Sequence, residues 1–206
     1  MKRTGQPRLG LIVNPIAGMG GAVGLKGTDG EEILKKAIEL GAKPVAPGRA
    51  KEFLRAFEPM KNKVELLAGA GLMGELEALE CGYKPVVFGQ KKEKTTAEDT
   101  KAIAKAMVEY GTDLLVFCGG DGTARDVMDA VDQEVPVLGV PTGVKMHSAV
   151  FAVNPRAAAR VAMGFLSGEL PVKEAEVMDV DEEAFRSGRL SARLYGYLLV
   201  PYEPEL

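Results

Sequence analysis

Three glycine-containing strings hold the residues of this sequence best suited to chemistry. The first is Gly119-Gly120-Asp121-Gly122-Thr123. A carboxylate set among glycines can face a ligand, because glycine lets the backbone turn sharply and approach without a Cβ in the way. Asp121 could accept a proton from an attacking hydroxyl or help place a magnesium ion. Thr123 offers a hydroxyl to a phosphate, and the free amides of a following helix can bind phosphate oxygens. The plainer alternative is a tight turn in which Asp121 only caps that helix. The second string is Asn14-Pro15-Ile16-Ala17-Gly18-Met19-Gly20-Gly21. Asn14 could hydrogen-bond a nucleotide or fix the neighbouring loop, and Gly18 and Gly20 allow close approach; a ligand-free turn would look similar. Lys26-Gly27-Thr28 has the order KGT rather than GKT, so this is not a P-loop. The third is Pro141-Thr142-Gly143-Val144-Lys145-Met146-His147-Ser148. Thr142, Gly143, Lys145 and His147 join the candidate set. Lys145 could meet a phosphate as a point charge, and His147 could touch substrate or cap the next helix. Arg125 and Asp126 could bind phosphate or magnesium, but a solvated ion pair on the helix surface is the favoured reading.

Each string needs an element to position it, and the pattern supplies strands. Leu9 to Val13, Val64 to Leu67, Pro85 to Phe88, Leu114 to Cys118 and Val137 to Val140 are short apolar runs. The lack of alternation in Leu114 to Cys118 predicts a strand covered by helices on both faces. Between the runs lie helical patterns: one after Asp29 that ends at Gly41, one over 49–58, and one from Met73 to Leu79. The clearest is opened by a capping box at Thr95 and Glu98 and closed by Gly111. Another follows GGDGT and carries Val127, Met128 and Val131, and a last one starts at Asn154-Pro155. Strand, loop and helix alternate to about residue 167, which predicts an α/β fold with a doubly wound, mainly parallel sheet. Ligands of such sheets bind at the carboxyl ends of the strands, where all three strings fall. After Leu170 the pattern changes. Glu176 to Val180 and Leu190 to Val200 read as an antiparallel hairpin joined by EEAFRSG. The expected division is a nucleotide-binding domain over 1–170 and the start of an incomplete β-rich domain over 171–206. By this reading the chain is a fragment, with exposed strands that favour homo-oligomers.

Composition narrows the function. Of 206 residues, 46% are hydrophobic and 27% charged, as in a protein with a real core. A net charge of −3 argues against a nucleic-acid partner, which needs a basic face. The two cysteines form no CxxC pair and the single histidine cannot build a His-rich metal site. The apolar stretch near the start is too short for a signal peptide or membrane span, so a cytoplasmic protein is expected. The run Lys91-Lys92-Glu93-Lys94 reads as a solvated loop.

Taken together, the strings resemble a known superfamily. GGDGT is similar to the signature loop of NAD kinases, diacylglycerol kinases and sphingosine kinases, where it binds ATP and its aspartate is implicated in catalysis. NPIAGMGG resembles the NPxSGxG opening of diacylglycerol kinases, with Ala17 in place of serine. PTGVKMHS matches the position of a later family loop but departs from its PxGTxND pattern. With GGDGTARD, the strings look most like the ATP-NAD kinase-like, or acetoin-catabolism-X-like, branch. The resemblance covers residues 8 to about 200. It implies ATP and magnesium as cofactors, Asp121 as the catalytic residue, and phosphorylation of a hydroxyl, with NAD as the acceptor and NADP as product. A lipid or polyol kinase, or a sensor that binds nucleotide without turnover, are the alternatives. NAD kinases carry an Asn-Glu pair for the dinucleotide, and this sequence has no Asn-Glu dipeptide. In these kinases a β-rich second domain follows, and the acceptor binds in the cleft between the two.

Overall fold

A computed structural model describes residues 5–19, 31–143 and 146–204. Five parallel strands form the main sheet: β1 (Arg8–Val13), β2 (Glu65–Gly69), β3 (Val86–Phe88), β4 (Leu114–Gly119) and β5 (Val137–Pro141). Their order is β3-β2-β1-β4-β5. The chain therefore winds outward from β1 in one direction to β3 and in the other to β5. Between β1 and β4 lies the point where the winding reverses.

The helices described are α1 (Glu31–Glu39), α2 (Ala46–Ala56), α3 (Glu75–Glu80), α4 (Ala97–Tyr110), α5 (Asp121–Val131), α6 (Pro155–Leu166) and the short α7 (Glu182–Arg186). Helix α2 packs against α3 and α6 on one side of the sheet, and α4 packs against α5 on the other. Two covered faces explain why every residue of β4 is buried and why its sequence does not alternate. Phe53, Phe57, Leu54, Leu9, Leu11 and Leu114 are among the fully buried side chains of this core. Each stabilises the fold by roughly 1.5–3 kcal/mol when wholly removed from water.

Local chemistry sets the helix ends, with some departures from expectation. The capping box of α4 is Thr96 with Asp99, one residue later than Thr95 with Glu98. The Asp99 amide donates to Thr96 Oγ1, and the Asp99 carboxylate accepts from the Thr96 amide at 2.8 Å. Lys92 donates to the same carboxylate at 2.6 Å and holds it below the usual carboxylate range, so one lysine of the 91–94 run is engaged rather than merely solvated. Gly111 ends α4 in the left-handed conformation. Asn154 caps α6 by accepting from the Ala157 amide at 2.8 Å, with Pro155 in the first turn. The helix expected over 49–58 starts earlier, at Ala46 with Pro47 in its first turn, and passes into a 3-10 turn over Glu58–Lys63. The helix expected from Met73 is a 3-10 turn over Gly71–Met73 followed by α3. Asp29, the expected cap of α1, lies outside the described residues.

Strands β6 (Val172–Val180) and β7 (Ala192–Pro201) form the antiparallel hairpin. Their connection is not a plain loop but holds α7, capped by Asp181. The hairpin does not stand free. Ala175, Val177, Leu198 and Val200 are buried on one face, which packs against α5 and β5. The expectation of bare strands after Pro171 is thus corrected for that face, and the reason is the alternating apolar residues of both strands. The outer edge of β5 is also covered: Gly139 donates to Val150 and accepts from Ala152, both at 2.9 Å.

Candidate functional site

Loop one leaves the end of β1 and loop two leaves the end of β4, on either side of the reversal point. That crevice is where open α/β sheets place ligands. Loop three leaves β5 next door. The three loops are joined by specific contacts. Asn14 Nδ2 donates to Thr123 Oγ1 at 3.1 Å, tying loop one to loop two. The Asn14 amide donates to the Cys118 carbonyl at 2.9 Å, which continues the β1–β4 pairing into the loops. Gly18 takes φ +82, and a Cβ there would overlap the carbonyl oxygen of Thr142, so loop one seats directly on loop three.

Loop two turns into helix at once. Gly120 is the N-cap and Asp121 the first helical residue, with the Ala124 amide donating to the Gly120 carbonyl at 3.0 Å. A Cβ on Gly119 would overlap the Thr123 side chain, so this glycine answers to the protein's own packing. Gly120 differs. A Cβ there would meet no atom within 4 Å, and its φ of −109 suits any residue. The space above it is open, at the N-terminus of α5 where amides and helix dipole favour an anion. Gly122 is half-buried within the first turn.

Asp121 is buried, at 9% exposure, and both of its oxygens accept backbone hydrogen bonds. The Ser148 amide donates to Oδ1 and the His147 amide to Oδ2, each at 2.9 Å. The aspartate therefore does not cap its own helix; it ties loop two to loop three. A carboxylate has about four acceptor positions, and these are the two hydrogen bonds it accepts among the described residues. Thr142 is buried and its Oγ1 has no hydrogen-bond partner among the described residues. The His147 side chain is exposed, and what it brings to the site is its amide. Gly143 is exposed beside Met146. Gly20 and Lys145 lie outside the described residues. Thus Asn14, Gly18, Gly119, Gly120, Thr142, Gly143 and His147 fall at three adjoining strand ends, with Asp121, Gly122 and Thr123 in the first turn of α5.

Arg125 is not part of a solvated pair with its sequence neighbour. It donates to Asp179 of β6 at 3.2 Å and its guanidinium lies 3.6 Å from the centre of the Tyr195 ring of β7. The reason is helical: Arg125 sits one turn beyond Asp121 on the face of α5 that meets the hairpin.

One residue near the site drew no attention in sequence. Glu77 of α3 is 2% exposed, and neither carboxylate oxygen has a hydrogen-bond partner among the described residues. Burial pushes its pKa up to about 7, against the pull of nearby backbone amides and Lys51. Its position at the third residue of a short, glutamate-rich helix looks like an ordinary solvated charge, so no sequence signal marked it. Cys118, beneath the same loops, is fully buried, and burial with the Glu77 charge pushes its thiol up; it is a packing residue.

No group of three or more His, Cys, Asp or Glu among the described residues is placed to hold a metal ion. A magnesium ion would fit here as a partner of nucleotide phosphates, which need few protein ligands. No helix among the described residues is long and apolar enough to cross a membrane.

A comparison with curated proteins found no match. Residues 9–170 match the family of the ATP-NAD kinase N-terminal domain. That span runs from the second residue of β1 to the end of the α6 region and contains all three loops. With its reversed parallel sheet and its GGDGT loop at the reversal point, the chain belongs to this kinase family.

Proposed function

We propose that the protein transfers the γ-phosphoryl group of ATP to a hydroxyl of NAD, giving NADP. The observation that supports this reading is the open space over Gly120 at the N-terminus of α5, beside the hydrogen bonds that join the three loops. Triphosphate oxygens would lie over Gly120 and Thr123, with Thr142 and Lys145 from loop three and Asn14 holding loop one in place. Magnesium would supply charge neutralisation on the phosphates. The acceptor hydroxyl would stand at the Asp121 carboxylate. A new bond forms between that oxygen and the γ-phosphorus as the bond from the γ-phosphorus to the bridging oxygen breaks. ADP leaves with the electron pair, and the hydroxyl proton passes to Asp121. Such transfer depends on positioning and on stabilisation of charge rather than on covalent chemistry. The division near residue 170, with the acceptor held between the sheet and the hairpin side, belongs to the same proposal.

A sensor that binds nucleotide without turnover is favoured by one observation: both Asp121 oxygens already accept amides. The test is ATP consumption with and without NAD, with diacylglycerol and a simple polyol as further acceptors. NAD-dependent consumption with matching NADP formation is expected. Binding of ATP with no acceptor-dependent consumption would select the sensor, and turnover on the lipid or polyol alone would move the acceptor class.

A further inference from the structure

Helix α5 begins in the GGDGT loop and its face at residues 121, 125 and 128 runs along the β6–β7 hairpin. Every residue of that stripe makes a contact across the seam or to loop three. Asp121 holds the amides of His147 and Ser148. The Ser148 hydroxyl, in a residue 7% exposed, donates to the Met178 carbonyl at 2.8 Å and accepts from the Met178 amide at 2.9 Å. The next amide, Ala149, donates to Glu176 at 2.8 Å, so loop three extends the free edge of β6. One turn along α5, Arg125 pairs with Asp179 and stacks on Tyr195. Tyr195 takes that place because β7 has an extra residue there: Val177 faces Gly196 and Met178 faces Leu194, leaving Tyr195 between. A bulge of this kind re-aims a side chain. At the third position Met128 packs so closely on Gly196 that a Cβ would come within 2.7 Å of its sulfur.

We infer that Ser148 and Arg125 are positioning residues, pinning the hairpin to α5 so that loop three is held on the Asp121 carboxylate. Ser148 is bonded on one side to the candidate catalytic group and on the other to the backbone of β6. Arg125 restrains the same strand one residue further on, by a pair and a ring contact that share a guanidinium. Among the described residues the end of loop three is bonded on one side to Asp121 of α5 and on the other to β6, through the Ser148 hydroxyl and the next amide, so where β6 lies bears on its seat. Neither residue needs to touch a ligand. The inference rests on the phosphotransfer reading for its kinetic consequence but not for its structural one.

The experiment uses Arg125→Ala, Arg125→Lys and Ser148→Ala in the full chain, with two readouts. Amide hydrogen exchange at His147 and Ser148 is followed by NMR alongside the amides of β1 and β4. Steady-state kinetics give kcat and KM for ATP. Arg125→Ala should speed exchange at His147 and Ser148 by at least about 10-fold while β1 and β4 keep their protection, since local and global opening separate in this measurement. It should lower kcat about 10- to 100-fold with KM for ATP little changed, the scale of a small misplacement of a reacting group. Arg125→Lys, which keeps the pair with Asp179 but not the stacking, should recover part of both effects. Faster exchange everywhere with unchanged kcat per folded molecule would show a merely structural role and overturn the inference. Unchanged exchange at His147 and Ser148 would overturn it as well, and would do so even if Ser148→Ala failed to fold. If the wild-type chain shows no turnover, the phosphotransfer reading fails, and the exchange of the two amides still decides the positioning role.

Discussion

Asp121→Asn separates a proton acceptor from a structural tie, and the geometry sets what to expect. The native carboxylate accepts two amides, from Ser148 on Oδ1 and His147 on Oδ2, each at 2.9 Å. Asparagine keeps one acceptor and turns an NH2 toward the other amide, so one charge-assisted hydrogen bond is replaced by two facing donors. The loss of one such bond costs about 1.5–3 kcal/mol. For a chain of this size that corresponds to a fall in Tm of roughly 3–12 °C, using about 2–4 °C per kcal/mol. The fold should survive, but the residue contributes more to stability than a glycine-flanked aspartate would suggest. Turnover should drop by ~100-fold or more, as when an acid–base or electrostatic group is lost. The assay is ATP consumption with acceptor, run well below both Tm values, with the folded fraction measured by circular dichroism. Asp121→Ala provides the control. If the carboxylate takes the proton, asparagine and alanine should be equally slow. If the carboxylate only seats loop three, asparagine, which retains one amide bond, should be clearly faster than alanine. A near wild-type rate in Asp121→Asn would refute the catalytic assignment outright.

Gly18→Ala places a Cβ against the Thr142 carbonyl at a φ of +82, so it should destabilise the fold by roughly 2–4 kcal/mol from strain and overlap together and weaken ATP binding, read by thermal melts and calorimetry. Gly120→Ala, with nothing within 4 Å of the new methyl, should cost about 1 kcal/mol as a poorer N-cap, roughly 2–4 °C in Tm, and weaken ATP binding at least ~10-fold; unchanged binding would remove the phosphate site from that space. Thr123→Val keeps the buried volume but breaks the 3.1 Å bond from Asn14 and should cost about 1 kcal/mol in urea unfolding. Glu77 binds its proton more tightly when folded, with a pKa of about 7 against an ordinary 4.5. The native state then holds a proton that the unfolded state has released between those values, so stability should fall as pH rises from about 4.5 to 7, by up to about 3 kcal/mol, and level off above. Glu77→Gln should flatten that slope and raise stability at pH 8; an unchanged pH profile of urea midpoints would show that the buried carboxylate is not the group responsible.

Local patterns in the sequence determined the elements of the parallel α/β part of this protein. A strand with no alternation, such as 114–119, reports two covered faces wherever it occurs, and Asn154-Pro155 or Gly111 act through their own backbone geometry. The three glycine strings were legible for the same reason: each follows a strand directly, and a parallel sheet brings strand ends to one edge. Neighbouring residues misled at element ends: the helix expected over 49–58 starts at Ala46, the EEAFRSG connection holds a helical turn, and one helix is capped a residue later than expected. Thr96 wins over Thr95 because its partner at the third helical position, Asp99, is itself held by Lys92, seven residues before it. Tertiary structure alone decided what the polar groups do to one another. That Asp121 holds the amides of residues 147 and 148, that Arg125 crosses to Asp179 and Tyr195, and that Glu77 lies buried with no hydrogen-bond partner among the described residues all join residues 25 or more apart, or depend on which helix face meets a sheet. No local propensity encodes such meetings. The contacts of Asp121 and Arg125 follow from the packing of the hairpin on α5, which the spacing of apolar residues in β6 and β7 allows but does not direct to that helix.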